Sequence, residues 1–173
     1  MTQQEIETER LLMRRWREDD KTPFAAICAD PHVMKWIGTG ETRSPEQAAE
    51  AIRSFEMEWH TKGYGLFAVE LKETGGLLGF TGLSTPYFLP EVLPVVEIGW
   101  RFAKQSWGRG YATEAAKTAL AFGQNDIGLG TIVGIYQTGN RASQRVMEKL
   151  GMVFDRETVD PTCGRAVRVY RTK

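Results

Sequence analysis

The chain has 173 residues, of which 42% are hydrophobic and 25% are charged, the size and composition of one compact globular domain. Its 22 Lys and Arg residues balance its 22 Asp and Glu residues, and a net charge of zero argues against nucleic acid or a membrane surface as a partner. From the polar start and the absence of a long apolar run we expect a cytoplasmic protein without a signal peptide or a spanning helix.

The first third of the chain predicts a strand followed by two helices. The strand covers residues 10–15, and the first helix is expected to begin near Thr22 and Pro23, which suit an N-cap and a first turn. A second helix over residues 44–63 opens with Ser-Pro-Glu-Gln, which resembles a capping box, and keeps helical apolar spacing up to a glycine.

The middle of the chain predicts strands and then a helix. Residues 64–71 and 77–84 form a predicted hairpin around a Thr-Gly-Gly turn, and residues 95–102 form the fourth strand. After a glycine-rich turn, one apolar helical face is expected from the residues Ala112, Ala115, Ala116, Ala119, Leu120 and Phe122.

The last third predicts a strand, a capped helix and a hairpin. The fifth strand covers residues 131–136, Asn140 caps the last helix and Gly151 ends it. Residues 152–159 and 166–171 form the closing hairpin. On the last helix we expect three inward-facing residues, Ala142, Val146 and Leu150.

These elements favour an α+β fold. Helices lie before and after a mainly antiparallel run of strands, which is not the alternation of a doubly wound sheet. No linker, repeat or low-complexity segment interrupts residues 1–173, so we expect a single domain. The only cysteines and histidines, Cys28, Cys163, His32 and His60, lack the spacing of a metal site, and we expect no metal.

Residues 105–113, reading Gln-Ser-Trp-Gly-Arg-Gly-Tyr-Ala-Thr, carry the strongest functional signal. Gly108 and Gly110 remove side chains just before a helix, whose first N–H groups and positive dipole end attract a phosphate. A P-loop is excluded because Tyr111 follows the second glycine, and a dinucleotide fingerprint is excluded because Thr113 stands where a third glycine or alanine belongs. Without its surroundings, the pattern is equally consistent with a tight turn.

The surroundings resemble the GNAT superfamily of acyl-CoA N-acyltransferases. The second half carries Gln105-x-x-Gly-x-Gly-Tyr-Ala-Thr-Glu-Ala115, Asn140-x-x-Ser143 and Glu148-Lys-Leu-Gly-Met-Val-Phe154. Three further segments are similar to the RimJ/RimL branch, whose characterised members acetylate α-amines of ribosomal proteins: Thr8-Glu-Arg-Leu-Leu-Met-Arg14, Asp30-Pro-His-Val-Met34 and Glu97-Ile-Gly-Trp100.

The resemblance implies a mixed sheet of six to seven strands with about four helices, in which the fourth and fifth strands diverge. It also implies that the pyrophosphate of acetyl-CoA rests on the glycine-rich loop and that no metal takes part. Arg109 would pair with a phosphate or remain a solvated charge, and the Thr113 hydroxyl would add a donor. The other implied cofactor-binding residues are the backbone donors Trp107, Gly108, Arg109, Gly110, Tyr111 and Ala112, the lining residues Ile98, Trp100 and Phe102, and Gln105, Asn140 and Ser143.

The resemblance also implies two catalytic residues for direct transfer to an amine. Many relatives place a tyrosine proton donor where this chain has Met147, and the RimJ/RimL branch suggests Ser143 instead. Ser143 is also explained as a first-turn helix residue, and Asn140 as its N-cap. Glu97 is the candidate base, with a structural salt bridge or acceptor binding as alternatives.

The predicted function is therefore that of an acetyl-CoA-dependent N-acetyltransferase, a monomer or homodimer acting on a protein N-terminal α-amine or a small-molecule amine. The alternative is a non-catalytic acyl-CoA-binding sensor or interaction module, favoured only by Met147 in the tyrosine position. An apolar acceptor pocket is expected from the aromatic residues Trp36, Trp59, Tyr64, Tyr87 and Phe88.

Overall fold

The computed structural model describes residues 4–173, which form one sheet flanked by helices on both faces. The strands are β1 (Ile6–Glu7), β2 (Leu11–Arg14), β3 (Leu66–Leu71), β4 (Leu77–Ser84), β5 (Val96–Phe102), β6 (Ile132–Gln137), β7 (Val153–Val159) and β8 (Ala166–Arg171). The helices are α1 (Lys21–Cys28), α2 (Pro31–Met34), α3 (Pro45–Lys62), α4 (Tyr111–Ala121) and α5 (Arg141–Lys149). No helix among residues 4–173 is long and apolar enough to cross a bilayer.

The sheet has the order β1-β2-β3-β4-β5-β6-β8-β7 and confirms the α+β class. Neighbouring strands are antiparallel except for β5 and β6, which run parallel. The eighth strand, beyond the six to seven expected, is the two-residue edge strand β1, and the fifth helix is the four-residue α2.

Two apolar clusters fill the space between the sheet and the helices. Residues of α1, α2 and α3 pack on one face of the sheet. There the ring centroid of Phe24 lies 5.0 Å from that of Trp16 and 6.0 Å from that of Phe80. Residues of α4 and α5 pack on the other face, where Ala115 and Met147 belong to the same buried cluster as Ile98. Strand β5 therefore presents alternate side chains to two different layers.

The predicted caps are confirmed for α3 and α5. The Ser44 hydroxyl accepts from the Gln47 amide at 3.1 Å while the Gln47 side chain accepts from the Ser44 amide at 2.8 Å, and Gly63 ends α3 with φ +76°. The Asn140 side chain accepts from the Ser143 amide at 3.3 Å. These bonds satisfy N–H groups that a helix leaves without partners at its start.

The predicted start of α1 is wrong by one to two residues. A 3-10 turn at Glu18–Asp20 precedes the helix, which begins at Lys21. The cause is a buried ion pair, because Asp20 accepts from two nitrogens of Arg14 at 2.8 and 2.9 Å and holds the turn against β2. Arg14 is only six positions before Asp20, but neither helical nor strand periodicity indicates that the two side chains pair.

The predicted inner face of α5 is also partly wrong. Ala142 is exposed and Val146 and Leu150 are half-buried, whereas Met147 is fully buried. Met147 packs against β6, where a Cβ on Gly134 would overlap the methionine sulfur. The absence of a side chain at Gly134 therefore leaves the space that Met147 occupies on the inner face of α5.

The expected divergence of two strands is confirmed between β5 and β6. Only two residue pairs join them, Val96 with Ile132 and Glu97 with Val133. Beyond this point β5 remains paired with β4 and β6 with β8, so the sheet opens along the later part of β5. The backbone edge of β5 that faces β6 is unpaired there.

Candidate active site

The divergence of β5 and β6 opens a cavity of about 410 Å³. Glu97 and Trp100 line it from β5, Tyr136 lines it from β6, and Ser143 and Met147 line it from α5. The two predicted catalytic residues therefore meet at one cavity although 46 positions separate them in the chain.

Glu97 has an environment that suits a base. The Ser84 hydroxyl donates to its carboxylate at 3.3 Å. Burial is the main cause that raises the pKa of Glu97 to about 8, and the negative charge of Glu58 raises it further, while the hydrogen bond from Ser84 acts in the opposite direction. An ordinary glutamate has a pKa of about 4.3. The pKa of Glu97 is thus close to that of a free α-amine, about 7.7–8.0.

Glu58 is held near Glu97 by its own partners. Its carboxylate accepts from the Thr85 amide at 2.9 Å, from the Thr85 hydroxyl at 3.0 Å and from the Lys62 ammonium at 3.0 Å. The nearby Lys62 is thus paired with Glu58. No lysine or arginine of residues 4–173 forms an ion pair with the carboxylate of Glu97.

Ser143 has its hydroxyl oriented by the helix cap. The Asn140 side-chain Nδ2 donates to the Ser143 hydroxyl oxygen at 3.1 Å. The Asn140 side-chain Oδ1 accepts from the Ser143 backbone N–H. The hydroxyl oxygen is therefore used as an acceptor, and its hydrogen has no acceptor among the described residues. It is free to point into the cavity.

Tyr136 is a cavity-lining phenol that the sequence reasoning did not single out. Its hydroxyl is buried and forms no hydrogen bond of ordinary geometry among residues 4–173; burial first, and then the neighbouring Tyr170 hydroxyl, raise its pKa to about 12. Tyr136 lies on β6 and shares the cavity lining and a buried cluster with Met147, which stands at the position where the family resemblance leads one to expect a tyrosine. The only available sequence signal was its place on the strand that borders the opening.

The glycine-rich loop leaves a run of backbone N–H groups free. Gly108 and Gly110 have φ of +76° and +79°, and the first backbone bond of α4 runs from Glu114 to Gly110 at 3.0 Å. The six N–H groups from residue 108 to residue 113 have no protein acceptor within the described chain. Such a run at the start of an eleven-residue helix fits a phosphate group.

Trp107 must be removed from the predicted set of backbone donors. Its N–H donates to the Lys104 carbonyl at 3.1 Å in a 3-10 turn and is not available to a ligand. Its indole nitrogen donates to the Phe102 carbonyl at 2.9 Å, although the ring remains 48% exposed.

Arg10 fixes the glycine-rich loop to the edge of the sheet. Its guanidinium donates to the Glu114 carboxylate at 2.7 Å and to the Arg109 carbonyl at 2.9 Å, and it stacks over the Tyr111 ring at 4.4 Å. The Thr8 hydroxyl donates to the same carboxylate at 2.7 Å. Glu114 was visible in the sequence as part of the motif, but its partners were not.

The remaining predicted residues divide between cavity, core and surface. Ile98 and Trp100 line the cavity as expected, whereas Phe102 is 5% exposed in the core beneath α4 and does not. Gln105 and Arg109 are exposed, and their side chains make no hydrogen bond within the described part of the chain. Of the predicted acceptor aromatics, Trp36 and Phe88 line the cavity, Trp59 and Tyr64 belong to the core, and Tyr87 is exposed.

Comparison with known proteins agrees with this arrangement. A family model described as the acetyltransferase (GNAT) domain matches residues 10–153. The chain is 35% identical over 152 residues to the uncharacterized protein YkkB of Bacillus subtilis, covering 86% of this chain and 85% of YkkB. It is 32% identical to the uncharacterized N-acetyltransferase YnaD of the same organism, covering 85% and 81%.

Solved structures show the same fold. An acetyltransferase from Agrobacterium tumefaciens superposes with a TM-score of 0.84 at 26% identity, covering 100% of this chain and 96% of that one. RimL, a ribosomal L7/L12 α-N-protein acetyltransferase solved with coenzyme A, superposes with a TM-score of 0.78 over 98% of this chain and 97% of that one. At 12% identity, the likeness to RimL concerns the fold alone.

Proposed function

The chain belongs to the GNAT acetyltransferases, and on this basis we propose that it moves an acetyl group from acetyl-CoA directly to a primary amine. The observation that carries the proposal is the meeting of Glu97 and Ser143 at the cavity where β5 and β6 separate. The pair supplies a base and a hydrogen-bond donor, the two functions that direct transfer from a thioester to an amine requires.

The glycine-rich loop is the proposed holder of coenzyme A. The free N–H groups of residues 108–113 would bind its pyrophosphate, and Ile98 and Trp100 would line its arm along the open edge of β5. Acetyl-CoA, when bound, would supply the acetyl group as an activated thioester, and coenzyme A would leave as the thiol. Hydrogen bonds to a charged acceptor contribute about 1.5–3 kcal/mol each, so three or four together are comparable with the entropy lost on binding.

Glu97 is the proposed base. The amine nitrogen forms the new bond to the acyl carbon while the carbon–sulfur bond breaks, and the amine proton passes to the Glu97 carboxylate. An α-amine is roughly one tenth neutral at pH 7, whereas a lysine amine is below about one thousandth. A carboxylate with a pKa of about 8 therefore suits an amine of low pKa.

Ser143 is the proposed donor to the departing sulfur. Its hydroxyl hydrogen has no acceptor within residues 4–173, and Asn140 holds the oxygen in place. An aliphatic hydroxyl is a weaker acid than a thiol, so Ser143 stabilises the thiolate by a hydrogen bond while solvent supplies the proton. Met147 cannot serve here because a thioether carries no proton.

A panel of amines with acetyl-CoA tests the proposal, with thiol release and the mass of the acetylated product as readouts. We expect turnover with at least one amine, and turnover lowered by Glu97→Gln. Glu73→Gln is the matched control, because Glu73 lies exposed in the turn between β3 and β4. Acetyl-CoA binding without product for any amine would favour the alternative of a non-catalytic acyl-CoA-binding module.

A further inference from the structure

Arg101 is a charged side chain without a charged partner. It follows Glu97 by four positions on β5 and lines the same cavity. Its Nε is buried and unbonded, one Nη donates only to the Cys28 sulfur at 3.5 Å, and the guanidinium lies 5.2 Å from the centre of the Phe80 ring. No carboxylate of residues 4–173 forms an ion pair with it.

Arg43 brings a second positive charge to the same place. It lines the cavity from the segment before α3, and its backbone N–H donates to the Cys28 carbonyl at 2.9 Å. Its side chain forms no ion pair with any residue that the structure describes. Arg43 is exposed, but its charge lies close enough to help lower the pKa of Arg101, after the larger effect of burial, and no anion of residues 4–173 pairs with either guanidinium.

A buried cation is normally compensated by an anion, and two neighbouring cations make this need stronger. Elsewhere in this protein buried arginine follows that rule, since Arg14 is paired with both Asp20 and Glu70 at 2.8 Å. The two acidic side chains that line the cavity, Asp160 and Glu97, form no ion pair with Arg101. Asp160 accepts from the amide and the hydroxyl of Thr162, and Glu97 accepts from Ser84.

The floor of the cavity between Glu97 and Arg101 is open. Gly99 lies between them on the same face of β5, and a Cβ there would meet no atom within 4 Å. At about 3.3 Å per residue, the Cα atoms of Glu97 and Arg101 are about 13 Å apart. Allowing for the reach of both side chains, a molecule the size of an amino acid or a dipeptide spans this distance.

We propose that the acceptor is a small amine that also carries a carboxylate, which Arg101 and Arg43 bind while its amine lies at Glu97. This inference rests on the proposed function and deepens it. The planar guanidinium matches a carboxylate in geometry, and binding would give the buried Arg101 the partner that it lacks. The two arginines attract the carboxylate of the acceptor and repel its ammonium group, and this fixes the orientation in which the acceptor binds.

The test compares the twenty common amino acids with their carboxamides as acceptors of acetyl-CoA. The two members of each pair share the side chain, and because the carboxamide also has the lower α-amine pKa, kcat/KM is compared per neutral amine. We expect kcat/KM to be about tenfold or more higher for the preferred amino acid than for its carboxamide, the loss that follows removal of a charged hydrogen-bond partner. Arg101→Gln and Arg43→Gln should reduce the preference, and Arg101→Lys should restore part of it.

Arg53→Gln is the control, because Arg53 is exposed on α3 and paired with Glu50. It should keep the preference of the wild type. Equal use of carboxylates and carboxamides, or a preference that survives in Arg101→Gln, would overturn the inference and leave acetyl transfer standing. An Arg101-dependent preference for succinyl-CoA over acetyl-CoA would place the anion on the acyl donor and would also overturn it.

A binding measurement separates this inference from the proposed function. Calorimetry with coenzyme A present would compare the same amino acids and carboxamides on wild type and Arg101→Gln. If no amine is acetylated, the proposed function fails, yet Arg101-dependent binding of carboxylates would still support the anion site. Equal binding by both proteins would overturn the site as well.

Discussion

Arg10 and Glu114 are joined at 2.7 Å between Nε and Oε2 and at 2.6 Å between Nη2 and Oε2, across 104 positions of the chain. The contact ties the turn before β2 to the first turn of α4. Because Arg10 also donates to the Arg109 carbonyl, the ion pair and the glycine-rich loop form one unit. The position of the proposed phosphate site therefore depends on a pair that need not touch the ligand.

Glu114→Gln should weaken coenzyme A binding about tenfold by releasing this anchor. Calorimetry would measure the affinity, and Glu18→Gln, which alters an exposed ion pair in the turn before α1, is the control. Partial burial acts to raise the pKa of Glu114, but hydrogen bonds from Thr8 and Arg10 hold it below the usual value. The anchor is thus present above the ordinary glutamate pKa and is lost as the pH falls through the lowered one. An unchanged affinity of Glu114→Gln for coenzyme A would show that the glycine-rich loop keeps its conformation without the Arg10–Glu114 ion pair.

Gly110→Val should abolish coenzyme A binding. Gly110 has φ +79°, a left-handed conformation that costs a residue with a Cβ about 1–2 kcal/mol and more for a β-branched one, and its N–H is one of the free donors. Gly130→Val is the control, because Gly130 is exposed and a Cβ there meets no atom within 4 Å. Equal affinities of both variants for coenzyme A would refute the loop assignment.

Glu97→Gln should lower kcat/KM by about 10²–10⁴-fold, the usual contribution of a positioned base. With a pKa of about 8, the carboxylate forms only as the pH rises through that value, so wild-type kcat/KM should rise between pH 7 and 9. An acceptor of constant charge in this range, such as an amine of low pKa, is needed for the profile. If kcat/KM of Glu97→Gln rose similarly between pH 7 and 9, the rise would belong to another titrating group.

The same variant should change how stability depends on pH. A raised pKa means that folded Glu97 keeps its proton between about pH 4.5 and pH 8, where the unfolded chain has lost it. The unfolded state then binds fewer protons, so this group's contribution to stability is largest below pH 4.5 and declines up to pH 8. Urea unfolding at pH 5 and pH 9 should show a smaller decline in Glu97→Gln than in wild type. An equal decline would contradict the burial of the carboxyl.

Ser143→Ala should lower kcat about ten- to hundredfold, the value of one hydrogen bond to a developing charge, and leave coenzyme A affinity nearly unchanged. The hydroxyl meets the cavity from α5, whereas the N–H groups of residues 108–113 lie at the start of α4. Ser54→Ala, an exposed substitution on α3, is the control. Wild-type turnover in Ser143→Ala would leave Asn140 and Ser143 with a capping role only.

Much of the fold was predictable because it depends on neighbours in sequence. The capping box of Ser44 and Gln47, the hairpin of β3 and β4 and the left-handed glycines at 108 and 110 are all local features, and the structure contains each of them. Strand β1 was missed because two residues carry no periodicity, and it forms only by pairing Ile6 with Met13.

The candidate site was predictable in its residue types, while its geometry was not. The motifs indicated Glu97 and Ser143, but their meeting follows from the two-pair register that joins β5 to β6 and then releases them. Three of the errors share one cause. Asp20 with Arg14, Met147 with Gly134, and the Trp107 amide with Lys104 are contacts that no periodic pattern encodes.

By itself the sequence determined the longer helices and strands and the glycine-rich loop ahead of α4, because hydrogen bonding within a few residues decides most of these. Tertiary structure alone decided that burial raises the pKa of Glu97 to about 8 and that Arg101 has no anion beside it. The burial of a side chain and its hydrogen-bond partners depend on which segments the sheet brings together. The free energy of its charged form depends on this environment more than on the adjacent residues in the chain.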